Sequence, residues 1–297
     1  MSKFQDAVGT RFRRIITSSP DGTPAWVEYV RQGDDAGLYK PTDAPWLVHA
    51  SLTTLIGGIR ALLMQALHPG SLAGVSQHSR YEDDPLGRLA GTTQWLTIMT
   101  FASKQAIARE SARVNDMHAR VRGSYTDNSG QQRNYQATDT DLLLWVHIAF
   151  TDSFLATYEL YSGSHIDRDE YIRLWSQAVV PLGLDNAPQS SQDLAQNIDR
   201  YDSSGQLQVN DVTLRVVEFI KHPPLSRTAR FAYWFLFQAA VASIPKTFRR
   251  RLGLRALPLW LVSPVTMGFL KLMHALIGNR SPLEEAALER LARIAAR

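Results

Sequence analysis

Apolar residues recur every three or four positions along most of the chain from Trp46 onward, which is the pattern of amphipathic α-helices. This spacing predicts a first clear helix over 52–67, which should stop at the proline that follows it. It predicts a second helix over 84–101, because aspartate is a good N-cap and proline fits the first helical position. A third helix is predicted over 104–122, with Gly123 as its left-handed terminator.

The rest of the chain continues the helical pattern after a polar stretch, SYTDNSGQQRNYQ, that is predicted to be a loop. A strongly apolar helix is predicted to begin near Thr138-Asp139. Further helices are predicted at 167–181, 190–202, 211–221, 227–243 and 258–277. The segment 205–219 alternates weakly between apolar and polar residues, so a short strand is the alternative there.

The pattern as a whole predicts an all-α protein with one large helical domain over residues 41–282. A lead-in rich in turn formers precedes it over 1–40, and a charged helix follows over 283–297. With 44% hydrophobic and 20% charged residues, the 297-residue chain can bury a sizeable core.

Charge and cysteine content narrow the function classes. The net charge of +4 is mild, so no nucleic-acid partner is expected, and the densest basic run is KTFRRRLGLR over 246–255. The chain contains no cysteine, which excludes disulfides, iron–sulfur clusters, thiolate-ligated haem and the usual structural zinc sites.

The sequence predicts a cytoplasmic protein, because its start has no apolar core of a signal peptide. No run reaches about 18 consecutive apolar residues, so no clear transmembrane helix is expected. The most apolar segment, 257–278, is interrupted by Pro264 and Lys271, and it fits either a core helix or a helix lying on a membrane surface. Together with the basic run 246–255, the second interpretation gives a hypothesis of peripheral membrane contact.

Several common catalytic motifs do not occur in the sequence. It contains no Gly-x-Gly-x-x-Gly, Walker loop, Gly-x-Ser-x-Gly elbow or His-Glu-x-x-His motif. None of the eight histidines has a glutamate three residues before it, so the Glu-x-x-His pairs of di-iron bundles are also missing. The informative residues are therefore the polar ones inside apolar helices.

His118 is the first of these residues. It belongs to an inward-facing helical stripe with Ile107, Val114 and Val121. Arg88 and Thr92 are four residues apart and share a face of the preceding helix. If the two helices form an antiparallel hairpin with its turn near Ser103, these side chains approach His118. Burying such groups unpaired costs about 2–7 kcal/mol each, so they either satisfy one another in the core or hold a ligand.

Two more histidines lie in apolar surroundings. His147 shares the face of Phe150 in the most apolar helix, and it is either a pocket residue or a core histidine with a satisfied hydrogen bond. His68 ends a predicted helix, where an imidazole can bind the last carbonyl groups. Gln65 and Arg60 lie on the predicted helix that His68 ends, and both are expected to reach the same interior as His68.

The order of four sequence motifs is a more specific family signal than any one of them alone. The motifs are GGIRALLMQALHPGSLAGVSQHS, YEDDPLGRLAGTT, MHARVRG and YQATDTDLLLWVHIAFTDSFLATY. In this order they resemble the family of rubber oxygenases (latex-clearing proteins) and mycophenolic acid pathway oxygenases. The resemblance covers about residues 45–185 and extends more loosely to about 255. It implies an all-helical fold with a globin-like core, one b-type haem, and oxygen-dependent chemistry on apolar, often isoprenoid, substrates.

The resemblance also implies site residues. His118 matches the histidine that ligates the haem iron from the proximal side, and Arg88 and Thr92 match residues of the distal helix. The rubber-cleaving members place a lysine where this sequence has Gly91, so rubber cleavage itself does not follow from the resemblance. Gln65 and His68 are further candidates for contact with the cofactor.

A haem needs an apolar slot, and its propionates need cations. Arg120 and Arg122, beside His118, are the candidate cations, although they fit equally well as solvated charges at a helix end. The candidate wall residues are the apolar members of the three helices: Leu89, Val114, Val121, Leu143, Phe150 and Phe154.

Two functions from different classes are consistent with these residues. The first is a haem b-dependent oxygenase or peroxidase-like oxidoreductase, which uses dioxygen or peroxide on a small apolar, isoprenoid or lipid substrate. Arg88, Thr92 and His147 would be its catalytic side chains. The second is a non-catalytic helical protein that carries or senses haem or lipid, or that has no cofactor. The sequence leaves the oligomeric state open.

Overall fold

The chain forms an all-α fold, as predicted. A computed structural model describes residues 9, 10, 13, 14, 19, 22–78, 85–277 and 280–297, and it leaves the side chains of 85–88 and 228 undescribed. Within these residues there are fourteen α-helices and one small β-hairpin.

The helices are α1 (Trp26–Arg31), α2 (Ala44–Ala50), α3 (Thr53–Gln65), α4 (Pro69–His78), α5 (Pro85–Phe101), α6 (Lys104–His118), α7 (Thr140–Tyr161), α8 (Arg168–Trp175), α9 (Ser191–Ser203), α10 (Asp211–Lys221), α11 (Arg227–Ser243), α12 (Lys246–Arg251), α13 (Leu259–Ile277) and α14 (Pro282–Ala295). Strands β1 (Arg122–Thr126) and β2 (Gln132–Gln136) pair antiparallel, with Arg122 opposite Gln136. Two short 3-10 helices, Ser176–Ala178 and Val180–Leu182, follow α8.

Helices α3 and α7 form the most extensive helix pair and the centre of the core. They approach closely at Gly57, where a Cβ atom would lie 2.5 Å from Cδ1 of Phe154 and 2.9 Å from Oγ1 of Thr157. Only glycine leaves room for this contact, because any other side chain would overlap the aromatic ring.

A buried arginine joins three helices beside this contact. Arg60 of α3 is 2% exposed. Its Nη1 donates to Oγ of Ser153 at 2.7 Å, and its Nη2 lies 2.7 Å from Oδ2 of Asp152, both on α7. Its Nε donates to the carbonyl oxygen of Ser243, at the end of α11, at 3.4 Å. Arg60, expected to reach the interior of the site, is therefore occupied by structural contacts.

The last helix, α14, packs against α1 and α5. Its fully buried Arg290 donates to the carbonyl oxygen of Val30, at the end of α1. It also donates to the carbonyl oxygen of Phe101, the last residue of α5, at 2.7 Å. Carbonyls at helix ends have no partner within the helix, so the guanidinium ties the ends of two helices together.

The stretch after His118 is a β-hairpin, so the predicted helical end at 122 and the predicted loop are both wrong. Helix α6 ends at His118, and Gly123 lies within β1, opposite Tyr135, instead of terminating a helix. Tyr135 is 3% exposed, and its hydroxyl donates to Oε1 of Gln77 on α4 at 2.8 Å. Packing of this tyrosine under α4 stabilises strand pairing in a stretch that is polar overall.

Helix α4 was missed, and its presence changes the role of His68. The predicted stop is confirmed, because α3 ends at Gln65 and a new helix begins at Pro69. His68 lies between the two helices, and its Nδ1 accepts from the backbone N–H of Ser71 at 3.4 Å. The ring therefore binds the N-terminal end of α4, and its predicted contact with the carbonyls of the preceding helix is wrong.

Three smaller expectations are also corrected. The lead-in 1–40 contains a helix, α1, and the helix predicted over 167–181 ends at Trp175 and continues as 3-10 turns. The alternative of a strand within 205–219 is wrong, because α10 begins there. A reciprocal hydrogen-bonded capping box at Asn210 starts this helix.

Candidate functional site

Helices α5 and α6 form the predicted hairpin. The turn falls at Ser103, whose side chain accepts from the backbone N–H of Ala106 and so caps α6. Nε2 of Gln94 on α5 donates to Oε2 of Glu110 on α6 at 2.9 Å. Glu110 is buried and also binds Arg113, so a charge-assisted network joins the two helices near the turn.

His118 is the last residue of α6 and is half-buried. Burial lowers the pKa of its imidazole, so the ring is neutral at pH 7. Among the residues that the structure describes, none forms a hydrogen bond with this ring. Val114 on the same face is buried, and Ser111, one turn further back, has a buried hydroxyl without a described partner.

Helix α5 carries Thr92, which is half-buried, and Trp95 lies on the same face about one turn further along. The indole N–H of Trp95 is buried and has no partner in the described part of the chain. A Cβ atom at Gly91 would meet no described atom within 4 Å. Leu89 is 39% exposed, and the side chain of Arg88 lies outside the described set.

A series of ring contacts, the aromatic chain, links α7 to α5. Phe150 contacts Phe154 with centroids 5.8 Å apart, and Phe154 contacts the ring of His49 on α2 at 4.9 Å. His49 lies 4.2 Å from Trp175 at the end of α8, and Trp175 lies 5.9 Å from Trp95. The predicted wall residue Phe150 is thereby connected through aromatic contacts to the face that carries Thr92.

Three atoms of the aromatic chain are buried and unpaired among the described residues: Nδ1 of His49, Nε1 of Trp95 and Nε1 of Trp175. Burial lowers the pKa of His49 to about 3, so its ring is neutral. An unpaired buried polar group costs about 1–3 kcal/mol. These three atoms therefore mark a part of the interior whose polar groups the described chain itself does not satisfy.

His147 has a partner within its own helix. Its Nε2 lies 3.3 Å from Oγ1 of Thr151, and the ring is 3% exposed. Burial lowers its pKa to about 4. This contact fits the interpretation of His147 as a satisfied core histidine, one turn from Phe150 of the aromatic chain. Leu143, a further turn back, is half-buried against the core.

Gln65 and His68 lie in a separate cluster at the start of α7. Nε2 of Gln65 donates to Oγ of Ser71 at 3.2 Å, and the backbone carbonyl of Gln65 accepts from Nε1 of Trp145. Nε2 of His68 is buried, 3.9 Å from Oδ2 of Asp141. Their described contacts therefore run to α4, to α7 and, through the ring of Tyr201, to α9, and none is with α5 or α6.

The residues just after His118 lie at the surface. Arg120 and Arg122 are exposed, and no described carboxylate pairs with either guanidinium. The carbonyl of Arg122 contacts Nε2 of His78 at 3.0 Å. Val121 is half-buried, close to Gly74 of α4.

These features define a helical protein with a two-helix hairpin, a neutral histidine on it that has no hydrogen-bond partner in the described part of the chain, and an aromatic chain that reaches α5 of that hairpin. The family described as ER-bound oxygenase mpaB/B'/rubber oxygenase, catalytic domain, matches residues 46–278, and the chain belongs to this family. The resemblance seen in the sequence is thereby confirmed, and the protein is an oxidoreductase of the oxygenase class. Comparison with curated proteins and with solved structures gave no match.

Proposed function

We propose that the protein is a haem b-dependent oxygenase for an apolar substrate, with His118 as the axial ligand of the iron. The observation that carries the proposal is the neutral imidazole at the end of α6, half-buried and without a described hydrogen-bond partner. A histidine can ligate iron only through a deprotonated ring nitrogen, so a neutral imidazole of this kind is suited to the role.

The scarcity of other ligands favours haem over iron held by the protein alone. Among the described residues, no group of three or more His, Asp or Glu side chains could hold a metal ion. The chain also contains no cysteine. A lone histidine is sufficient only where a prosthetic group supplies the other ligands, as a porphyrin does.

Groups on both helices of the hairpin support this proposal. On α6, the unpaired hydroxyl of Ser111 and the apolar side chain of Val114 share the face of His118. On α5, the indole N–H of Trp95 has no described hydrogen-bond partner. A Cβ atom added to Gly91 would meet no described atom within 4 Å. Both helices therefore present polar atoms or space that the described residues leave unsatisfied.

Each side chain would have a separate task. His118 would hold the iron, and a bound haem would supply the activation of dioxygen or peroxide. Thr92, with Arg88 assigned by resemblance, would donate hydrogen bonds on the opposite side. Arg120 and Arg122 are exposed next to His118 and available for the propionates.

The substrate side is assigned to α7 and the aromatic chain. Phe150 and Leu143 would line an apolar approach and exclude water. The buried ring of His147, bonded to Thr151, would act as a positioning residue behind Phe150 and would not touch the substrate. Walls of this composition favour a hydrocarbon-like substrate, of isoprenoid or lipid type. Gly91 in place of lysine favours a substrate or reaction other than rubber cleavage.

The visible absorption spectrum tests the axial ligand. The purified protein with haemin should show a Soret band. His118→Ala should shift that band and weaken haem binding by about tenfold or more, because the ligand to iron is lost. The exposed His165 gives a matched control, and His165→Ala should leave both quantities unchanged.

A second variant separates lost ligation from lost folding. His118→Gly should regain the wild-type band when imidazole is added, because free imidazole can occupy the vacated position. An unshifted spectrum in a folded His118→Ala protein would refute the assignment. Haem-loaded protein that consumes neither dioxygen nor peroxide with any apolar alkene would refute the oxygenase reaction proposed here.

A further inference from the structure

Charge is strongly segregated along the chain. No aspartate or glutamate lies between Glu218 and Glu284, whereas ten basic residues do: Lys221, Arg227, Arg230, Lys246, Arg249, Arg250, Arg251, Arg255, Lys271 and Arg280. The remaining 22 Lys and Arg accompany all 28 Asp and Glu, so the net charge is +10 within this segment and −6 outside it. The overall net charge of +4 therefore hides a strongly cationic segment over residues 219–283.

The same segment carries most of the exposed large apolar side chains. We call them the α11–α13 ridge: Phe231, Trp234, Leu257, Leu259, Trp260, Leu261, Val265 and Leu272. Trp260 is 77% exposed and Phe231 is 67% exposed. Exposed apolar surface of this extent is typical of a contact surface rather than of ordinary solvent-facing helices.

The two helices of the ridge form one surface. The ring of Phe235 on α11 stacks on Phe269 of α13, with centroids 5.3 Å apart. The inner face of α13, including Val262 and Leu270, is buried against the protein. Only 17% of the most apolar stretch of α13 is buried. The prediction that this segment forms a core helix, one of two alternatives, is therefore wrong.

The anchoring of α13 favours an orientation along a membrane, not across it. It is the one described helix long and apolar enough to cross a bilayer by itself. The chain just before it is held by the buried Phe248 and Leu252. The chain after it is held by α14, whose Arg290 binds the ends of α1 and α5. Both ends and one face of α13 are fixed to the rest of the protein. The helix therefore lies along the protein surface and exposes its other face to solvent.

We propose that the α11–α13 ridge docks the protein on the surface of an anionic membrane. Trp234 and Trp260 have the amphipathic rings that prefer the headgroup region, and the aliphatic side chains would enter the upper acyl layer. Cations flank the apolar residues: Arg227 and Arg230 lie in the first turn of α11, and the exposed Arg250 and Arg255 lie between α11 and α13. This charge favours anionic lipid, because residues 219–283 contain no acidic side chain and, of the basic residues between α11 and α13, only Arg251 pairs with a described carboxylate, that of Asp202.

The cations alone would also suit a nucleic acid. Exposed leucine and valine side chains have no role on a phosphate backbone, however, and duplex recognition depends on polar and charged contacts. The combination of aliphatic side chains, interfacial tryptophans and arginines is the pattern of an interfacial membrane helix. This inference rests on surface composition, and it holds whether or not the protein binds haem.

Vesicle flotation tests the docking surface. The full-length protein should float with vesicles of phosphatidylcholine plus phosphatidylserine, bind phosphatidylcholine vesicles more weakly, and be released as salt rises. The double variant Trp234→Ser/Trp260→Ser should lower the partition coefficient by about tenfold or more. Arg250→Gln/Arg255→Gln should remove the preference for anionic lipid. All four side chains are exposed, so folding is retained.

Matched controls lie outside the ridge. Tyr29 is 49% exposed and Arg173 is also exposed, so Tyr29→Ser and Arg173→Gln should leave flotation unchanged. Flotation that survives the double tryptophan variant would overturn the proposal, as would failure to bind either vesicle. Resistance to carbonate extraction would show that α13 crosses the bilayer instead. A dimer or a DNA complex broken by the same variants, without vesicle binding, would assign the ridge to that partner.

Discussion

Arg60 shows what a single buried charge requires of its surroundings. Its guanidinium is removed from water, and it binds Ser153, Asp152 and the carbonyl of Ser243 on two other helices. The desolvation of such an ion is offset only while the partners remain in place. The three contacts therefore fix the positions of α3, α7 and α11 relative to one another.

Removing the carboxylate should reveal this dependence. Asp152→Asn should lower the free energy of unfolding by about 3 kcal/mol, because it leaves a buried cation without its counter-ion. Urea unfolding would measure the change. The ion pair between Glu159 on α7 and Arg168 on α8, which lies at the surface, is the control. Glu159→Gln should cost no more than about 1 kcal/mol, and equal losses in the two variants would contradict this account.

The site residues divide into those that spacing could predict and those that it could not. The face of His118 and Val114 followed from helical periodicity, and the turn at Ser103 followed from the pattern of two adjacent helices. His49 gave no such signal. Its contacts with Phe154 and Tyr171 join residues more than 100 positions apart, and local periodicity does not encode pairings at that distance. The haem ligation by His118 stays a prediction.

At the scale of elements, the helices with clear local sequence signals were the ones predicted correctly. Helices α9, α10, α11 and α13 lie within one residue of their predicted bounds, because capping residues and apolar spacing are both local. Helix α4 was missed because its sequence, PGSLAGVSQH, is rich in glycine and serine and has little apolar periodicity. The β-hairpin was missed with it, since burial of Tyr135 depends on α4.

The contact between α3 and α7 allows a sharp test with two adjacent glycines. Gly57→Ala should destabilise the protein by about 1–3 kcal/mol, because the new Cβ would lie 2.5 Å from the ring of Phe154. Gly58→Ala places its Cβ where no described atom lies within 4 Å. It should stabilise the helix by about 0.5–1 kcal/mol. Urea midpoints that move in the same direction would refute the close approach of these helices.

At the scale of the whole molecule, two buried histidines with strongly lowered pKa values, His49 and His147, make stability depend on pH. Burial lowers the pKa of His49 to about 3 and that of His147 to about 4. In the unfolded chain both titrate near pH 6.5. As the pH falls from 6.5 towards 4, the unfolded state therefore binds protons that the folded state excludes, and the free energy of unfolding decreases.

Each histidine should contribute a loss that reaches at most about 1.4 kcal/mol per pH unit, near pH 5. Urea unfolding between pH 7 and pH 4.5 would measure the slope. His147→Gln should remove its share of the slope, whereas the exposed His165→Gln should leave the slope unchanged. A wild-type stability that does not vary with pH over this range would contradict the buried, neutral state of both rings.

The class of the whole molecule was accessible from the sequence, because the order of four motifs identified the family and helical spacing identified the all-α class. The globin-like arrangement of the core stays a prediction. The exposure of the α11–α13 ridge was not accessible in the same way. Periodicity marks α13 as apolar, but which of its faces is covered depends on α11 and on the anchoring of α14.

The two carbonyls bound by Arg290 have a consequence for the order of folding. The contact between Arg290 and Val30 closes a loop of 260 residues, whereas the α3–α7 pair is much closer in sequence. The entropy lost on closing a loop grows with its length, and long-range contacts form slowly. We therefore expect α14 to dock late, after the centre has condensed. The hairpin that carries His118 would then receive its final anchor, at the carbonyl of Phe101, only in the last steps of folding.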